Sequence, residues 1–76
     1  MQADATVDAQ GTLCPVPIIR AAAQMRKLPP GAVLEVLATD VAVLDDLPAW
    51  CRITGHEFLG FENELPLYRG YARHRP

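Results

Sequence analysis

Residues 11–20 have the sequence Gly-Thr-Leu-Cys-Pro-Val-Pro-Ile-Ile-Arg, and this stretch marks the point where a loop passes into the first helix. Proline is favoured in the first turn of a helix, because its missing N–H would have no partner there. Pro15 and Pro17 therefore predict a helix that begins at Pro15, with Cys14 at its N-terminus. The positive end of the helix dipole and the free N–H groups favour a thiolate at that place. We therefore expect a lowered pKa and a nucleophilic thiol; the alternative is a buried cysteine that happens to precede a proline.

The rest of the chain divides into short elements separated by turn residues. The first helix is predicted over 15–28, because apolar residues recur there at helical spacing, and Pro29-Pro30-Gly31 ends it. Asp46 is the predicted N-cap of a second helix, with Pro48 in its first turn and Gly55 as its C-terminal stop. A helical turn over 41–44 is a further possibility. Strands are predicted at 6–8, 33–39, 56–61 and 67–73, the last two forming a hairpin.

This element order predicts an α+β fold. Two helices cover both faces of a four-stranded sheet poorly, which favours a two-layer sandwich with both helices on one face. The order βαβαββ predicts a mixed sheet, in which the first two strands are parallel and the last two antiparallel. The 76 residues are expected to form a single domain.

Composition and charge exclude several classes of function. The formal net charge of −2 argues against direct binding of nucleic acid. No signal peptide and no membrane-spanning run is found, so neither export nor a membrane partner is expected. The two cysteines then indicate free thiols in a reducing, cytoplasmic compartment. No metal-ligand spacing or phosphate loop is present, and we expect no cofactor and no metal.

The segment Asp8-Ala9-Gln10-Gly11-Thr12-Leu13-Cys14-Pro15-Val16-Pro17 resembles the signature of the TusA family of small sulfur-carrier proteins. The resemblance covers nearly the whole chain, and it continues through 30–31, 38–40, 46–51 and 54–57. The sequence departs from many relatives at three positions. Val41 stands where proline is common, and Ala22 and Asp45 stand where basic residues are common, which leaves the identity of the partners open.

The resemblance implies a function and its partners. Members carry sulfane sulfur as a persulfide on the cysteine that matches Cys14, so Cys14 would be both nucleophile and carrier. The sulfur would come from a cysteine desulfurase or a rhodanese-type donor. It would go to a protein acceptor in tRNA thiolation, molybdenum-cofactor synthesis or sulfur oxidation. A non-enzymatic regulatory or interaction module, or a thiol redox sensor, is the alternative.

Four residues near Cys14 are candidates for supporting roles. Asp8 is expected to orient the loop or to make a local turn, and Gly11 to supply a backbone conformation that other residues resist. Arg20 is a candidate partner contact or a solvated residue on the helix surface. Asp40, at the end of the central strand, is a candidate partner contact or a helix cap.

Other reactive side chains are assigned roles away from the thiol chemistry. Cys51 lies beside Trp50 on an apolar helix face and is expected in the core. A disulfide between Cys14 and Cys51 cannot be judged from the sequence. His56 has no pairing with Cys14 that would make it a base. The basic C-terminal end, with Arg69, Arg73, His74 and Arg75, is either a solvated tail or a docking site for an acidic partner.

Overall fold

The computed structural model describes all 76 residues and has the predicted order of elements. One sheet is formed by strands β1 (Ala5–Ala9), β2 (Val33–Ala38), β3 (Glu57–Phe61) and β4 (Tyr68–Arg73). The helices are α1 (Val16–Met25) and α2 (Val43–Thr54). None of the helices is long and apolar enough to cross a membrane.

The sheet is mixed, with the strand order β1-β2-β4-β3. β1 and β2 are parallel, and their last residues, Ala9 and Ala38, are partners in the register. β4 lies between β2 and β3 and is antiparallel to both. Helix α1 packs on β1 and β2, while α2 packs on β3 and β4. The predicted α+β sandwich, with two helices on one side of a mixed four-stranded sheet, is therefore confirmed.

The core lies between the helices and the sheet. Leu34, Val36 and Ala38 alternate along β2 and are fully buried, as expected for one face of a strand. The largest helix side chains that they meet are those of Met25 and Leu47, which are also inaccessible to solvent. The apolar periodicity of the two helices thus placed the core correctly.

The opposite face of the sheet carries a polar network centred on Glu35. Its carboxylate accepts hydrogen bonds from Thr6 Oγ1 at 2.9 Å and from Tyr71 Oη at 3.0 Å, and it pairs with Arg69 at 3.0 Å. These bonds outweigh the cost of partly burying the carboxylate, and they hold the pKa of Glu35 below its usual value. The network satisfies the polar atoms of a face that no helix covers.

Helix α1 is shorter than predicted at both ends. Its first helical residue is Val16, and Pro15 occupies the N-cap position, with φ −99° and ψ 15°. At the other end, the residues from Arg26 onward form tighter turns, in which Leu28 N–H bonds to Met25 O at 3.1 Å. Leu28 still packs against the core, so the apolar spacing of α1 predicted the burial of this residue correctly but not the length of the helix.

Helix α2 begins earlier than predicted, and the assignment of Asp46 as its N-cap is wrong. Ala42 occupies the N-cap position, and the nearby N–H groups bond to the carbonyls of Asp40, Val41 and Ala42. These turns extend the helix toward the N-terminus, so that Pro48 lies inside the helix rather than in its first turn. The predicted stop is confirmed, because Gly55 has φ 85° and its N–H bonds to Cys51 O.

Gly70 of β4 lies directly under Leu47 of α2 and leaves no room for a side chain. A methyl group at this position would collide with Leu47 Cδ2 and lie 2.9 Å from Phe61 Cε1. We expect Gly70→Ala to destabilise the protein by about 1–3 kcal/mol through overpacking. Leu47→Ala should therefore lower the free energy of unfolding less in the Gly70→Ala background than in the wild type. Urea denaturation of the four proteins of this cycle tests the contact; additive effects would contradict it.

Candidate functional site

Cys14 lies on the surface in the turn that leads from β1 into α1, and its side chain is exposed. Because β1 and β2 are parallel neighbours, the loops that follow them emerge at the same edge of the sheet. The loop after β1 carries the cysteine, and the loop after β2 carries Asp40. The two segments are far apart in the sequence and adjacent in space.

Asp40 joins the Cys14 turn to the start of α2. Its Oδ2 accepts the backbone N–H of Cys14 at 2.8 Å, and its Oδ1 accepts the N–H of Ala42 at 3.0 Å. Both bonds favour the ionised carboxyl and hold the pKa of Asp40 below its usual value. Asp40 thus forms a local turn before α2 and holds the cysteine loop, but it does not cap the helix, because α2 has no side-chain cap hydrogen bond. Contact of Asp40 with a partner stays a prediction.

The loop between β1 and Cys14 is held by further hydrogen bonds. Gly11 has φ 78°, the left-handed conformation predicted for it, and its N–H donates to Thr39 Oγ1 at 3.0 Å. Thr12 Oγ1 donates to Ala9 O at 2.7 Å. Sequence analysis missed both threonines, because the partner of Thr39 lies 28 residues away and the local bond of Thr12 has no sequence signature.

The N-terminus of α1 has few N–H groups left for the thiolate. Pro15 and Pro17 have no N–H, and Val16 N–H donates to Leu13 O at 2.9 Å. The N–H groups of Ile18 and Ile19 both bond to Pro15 O at 3.1 Å. The expected stabilisation of a thiolate by free donors of the first turn is therefore absent.

The thiol lies instead beside two carboxylates, and the expectation of a lowered pKa is wrong. The nearby Asp46 carboxylate attracts the thiol proton of Cys14 and is the main cause that favours the protonated form. Partial desolvation and the negative charges of Asp46 and Asp40 act in the same direction and raise the pKa of Cys14.

Asp8 and Arg20 act on the start of the loop rather than on the thiol. Asp8 Oδ1 accepts the backbone and side-chain N–H groups of Gln10, both at 3.1 Å, which is the local turn considered for it. Arg20 Nη1 donates to the backbone carbonyl of Asp8 at 3.1 Å. Arg20 is exposed, and its contact with a partner stays a prediction.

The remaining reactive side chains lie away from Cys14. Cys51 is 1% exposed within the core, as expected, and burial raises the pKa of its thiol to about 11. Both cysteines are free. His56 accepts the backbone N–H of Arg75 at 3.0 Å and makes no contact with the thiol site.

The arginines of the C-terminal end are paired with carboxylates. Arg73 and Arg75 both bond to Glu57, and Arg69 bonds to Glu35 and Glu64. The predicted alternatives were a solvated tail or a basic docking site. The pairing shows a third arrangement, in which the positive charges stabilise the last strand and its neighbours.

Comparison with known proteins identifies a family model and several relatives that match this chain. The family model of sulfurtransferase TusA matches residues 5–73. The putative sulfur carrier protein YrkF of Bacillus subtilis is 44% identical over 73 residues, which are 96% of this chain and 40% of that protein. The sulfur carrier protein TusA of Pseudomonas entomophila is 41% identical over 70 residues, which are 92% of this chain and 88% of that protein.

A solved structure has the same architecture. The crystal structure of a SirA-like protein from Desulfitobacterium hafniense superimposes with a TM-score of 0.80 at 26% sequence identity. The alignment covers 91% of this chain and 95% of that one. The match of the family model to nearly the whole chain, the identity to relatives of similar length and this shared fold agree with one another. The chain belongs to the TusA family.

Proposed function

We propose that this protein is a sulfur carrier that holds sulfane sulfur as a persulfide on Cys14 and passes it from a donor protein to an acceptor protein. One observation carries the proposal: Cys14 is exposed on a turn whose backbone Asp40 holds at 2.8 Å, while the other cysteine is buried. Relatives that are named as sulfur carrier proteins support a carrier role. A sulfurtransferase activity of the chain is part of the proposal, because the carrier is itself the nucleophile.

The transfer needs only the chemistry of thiol exchange. The Cys14 thiolate attacks the sulfane sulfur of a donor persulfide, so that a new S–S bond forms and the S–S bond of the donor breaks. The donor leaves as a thiolate, and Cys14 becomes a persulfide. In the second step an acceptor nucleophile takes the outer sulfur, and the Cys14 thiolate is released. No net oxidation or reduction occurs in either step.

The carboxylates beside the thiol give the free carrier a low reactivity. Only the thiolate is a good nucleophile, and Asp46 and Asp40 disfavour it. A donor that brings a lysine or arginine to this edge of the sheet offsets the two negative charges and favours the thiolate. We therefore propose that docking of the donor, rather than the isolated protein, activates Cys14. A cysteine desulfurase or a rhodanese-type protein is the proposed donor, in a cytoplasmic setting.

The surface around the thiol suits contact with another protein. Leu13, which precedes Cys14, is 73% exposed, and Val41, which follows Asp40, is 60% exposed. Two apolar side chains on either side of a reactive group provide area that a partner can bury. Arg20 and Asp40 remain the proposed polar contacts. The acceptor, whether in tRNA thiolation, molybdenum-cofactor synthesis or sulfur oxidation, is proposed on the family resemblance alone.

A redox sensor is less well supported than a carrier. Such a sensor commonly uses an accessible, acidic thiol and a second cysteine that resolves the oxidised form. Here the pKa of Cys14 is raised, and Cys51 is 1% exposed. No observation favours a purely regulatory or interaction module over the carrier.

We expect sulfane sulfur to be loaded on Cys14 and not on Cys51. Incubation with a cysteine desulfurase and cysteine, followed by peptide mass mapping, should place the added sulfur on the peptide that contains Cys14. Cys14→Ser should abolish loading, whereas Cys51→Ala should retain it because the core cysteine is inaccessible. Sulfur found mainly on Cys51, or loading that survives in Cys14→Ser, would overturn the proposal.

Asp46→Asn should lower the pKa of Cys14, because it removes a negative charge and a carboxylate acceptor of the thiol proton. The pH profile of iodoacetamide alkylation should move to lower pH, and alkylation near neutral pH should become faster. Asp45→Asn is the matched control, since Asp45 is the exposed neighbour on α2 and does not perturb the thiol. Equal profiles for both variants and the wild type would contradict the assigned role of Asp46.

Leu13→Ser should slow the transfer of sulfur from the donor protein while leaving alkylation by iodoacetamide nearly unchanged. The reason is that Leu13 offers apolar area to a partner and forms no part of the thiol's hydrogen bonding. Ile53→Ser is the matched control, because Ile53 is also an exposed aliphatic residue (83%) but lies near the C-terminal end of α2, away from the Cys14 end of the helix. Equal slowing by both variants, or slower alkylation in Leu13→Ser, would contradict docking at Leu13.

A further inference from the structure

A second candidate site lies at the opposite end of the helices from Cys14. It is a cavity of about 220 Å³ between the C-terminal ends of α1 and α2, the start of β3 and the residue that follows β4. Helix α1 has 10 residues, and Cys14 precedes it while Arg26 follows it. A helix of that length spans about 15 Å, so the cavity is separate from the thiol site.

One wall of the cavity is apolar. Met25 and Ala22 of α1 line it, together with the indole ring of Trp50. The Trp50 ring lies 5.3 Å from the ring of His56, and His56 lies 5.0 Å from His74. The result is a row of three rings beside a methionine, a surface that favours contact with another flat ring.

The other wall carries positive charge and ring N–H groups, with no carboxylate among its residues. Arg26 lines the cavity and forms none of the molecule's ion pairs. His56 accepts the N–H of Arg75 at its Nδ1, so the neutral ring carries its proton on Nε2 and can donate there. The Nδ1 of His74 is buried and takes no part in the site. Arg26 and the Nε2 of His56 are suited to an anion that also forms hydrogen bonds.

Size and chemistry together select the ligand. The volume exceeds the roughly 150 Å³ of an apolar cavity that accepts benzene, so one aromatic ring fits. An inorganic anion would leave the apolar wall in contact with water, and a neutral ring would leave Arg26 without a counter-charge. We propose that this cavity binds a small carboxylate with a single aromatic ring, with the ring against Trp50 and the carboxylate near Arg26. The proposal is independent of the sulfur-carrier function.

Benzoate is the probe for the test, and Trp50, the only tryptophan, supplies the signal. Titration should give a saturable change in fluorescence with a Kd on the order of 1 mM, as expected for a ligand of about ten non-hydrogen atoms. Benzyl alcohol, which lacks the charge, and inorganic phosphate, which lacks the ring, should each bind at least about tenfold more weakly. Ring-proton NMR shifts of His56 and His74 should move with the same Kd.

Two charge variants distinguish binding of benzoate in the cavity from a general attraction of anions to the surface. Arg26→Gln should weaken benzoate by about tenfold and leave benzyl alcohol unchanged, because it removes only the counter-charge. Lys27→Gln is the matched control, since Lys27 is the exposed neighbouring cation and does not line the cavity. Cys14→Ser should bind benzoate as the wild type does, and Arg26→Gln should accept sulfur normally, so that either proposal can fail alone. Absence of saturation, equal effects of the two variants, or phosphate binding as tightly as benzoate would overturn the proposal.

Discussion

The carboxylate of Asp40 is the interaction on which the thiol site depends. It accepts the N–H of Cys14 with one oxygen and the N–H of Ala42 with the other, so it fixes the cysteine turn against the start of α2. A hydrogen bond to an ionised group is stronger than one between neutral groups. Without it, the exposed turn before α1 would be anchored to the second loop mainly by the bond between Gly11 and Thr39.

The same carboxylates that shape the site also restrain its chemistry. A cysteine at the start of a helix is usually expected to be acidic, because the helix dipole and free N–H groups stabilise the thiolate. Here two prolines remove donors, the remaining donors are bound to Leu13 and Pro15, and the nearby Asp46 carboxylate favours the protonated thiol. A raised pKa disfavours the thiolate of Cys14, which is the more nucleophilic form.

Charge is distributed unevenly over the rest of the molecule. The arginines of β4 and the C-terminal end are occupied by Glu35, Glu57 and Glu64, so the C-terminal end is not a free basic surface. The cation that the carboxylates leave unpaired beside the cavity is Arg26, at the end of α1. The thiol end of the helices therefore carries carboxylates, whereas at the cavity end the charge of Arg26 is set against the negative ends of two helix dipoles.

The sequence by itself determined the order of elements and most of the core, and it singled out Cys14 as the candidate reactive residue. The signals behind these predictions are local: apolar periodicity, the glycine at the end of α2 and the prolines after Cys14. Each predicts the conformation of residues only a few positions away. The family resemblance rests on the same local strings. Burial of Cys51 was predictable for the same reason, since it shares a helix face with other apolar residues.

Only the tertiary structure decided the electrostatics of the thiol and the start of α2. Asp40 lies 26 residues from Cys14, and the parallel pairing of β1 and β2 alone brings the two together. Local rules predict Asp46 as the helix N-cap, because they favour aspartate before an apolar helix. Turns that begin at Asp40 start the helix earlier. The pKa of Cys14 depends on charges that arrive through space rather than along the chain, and local pattern contains no information on them.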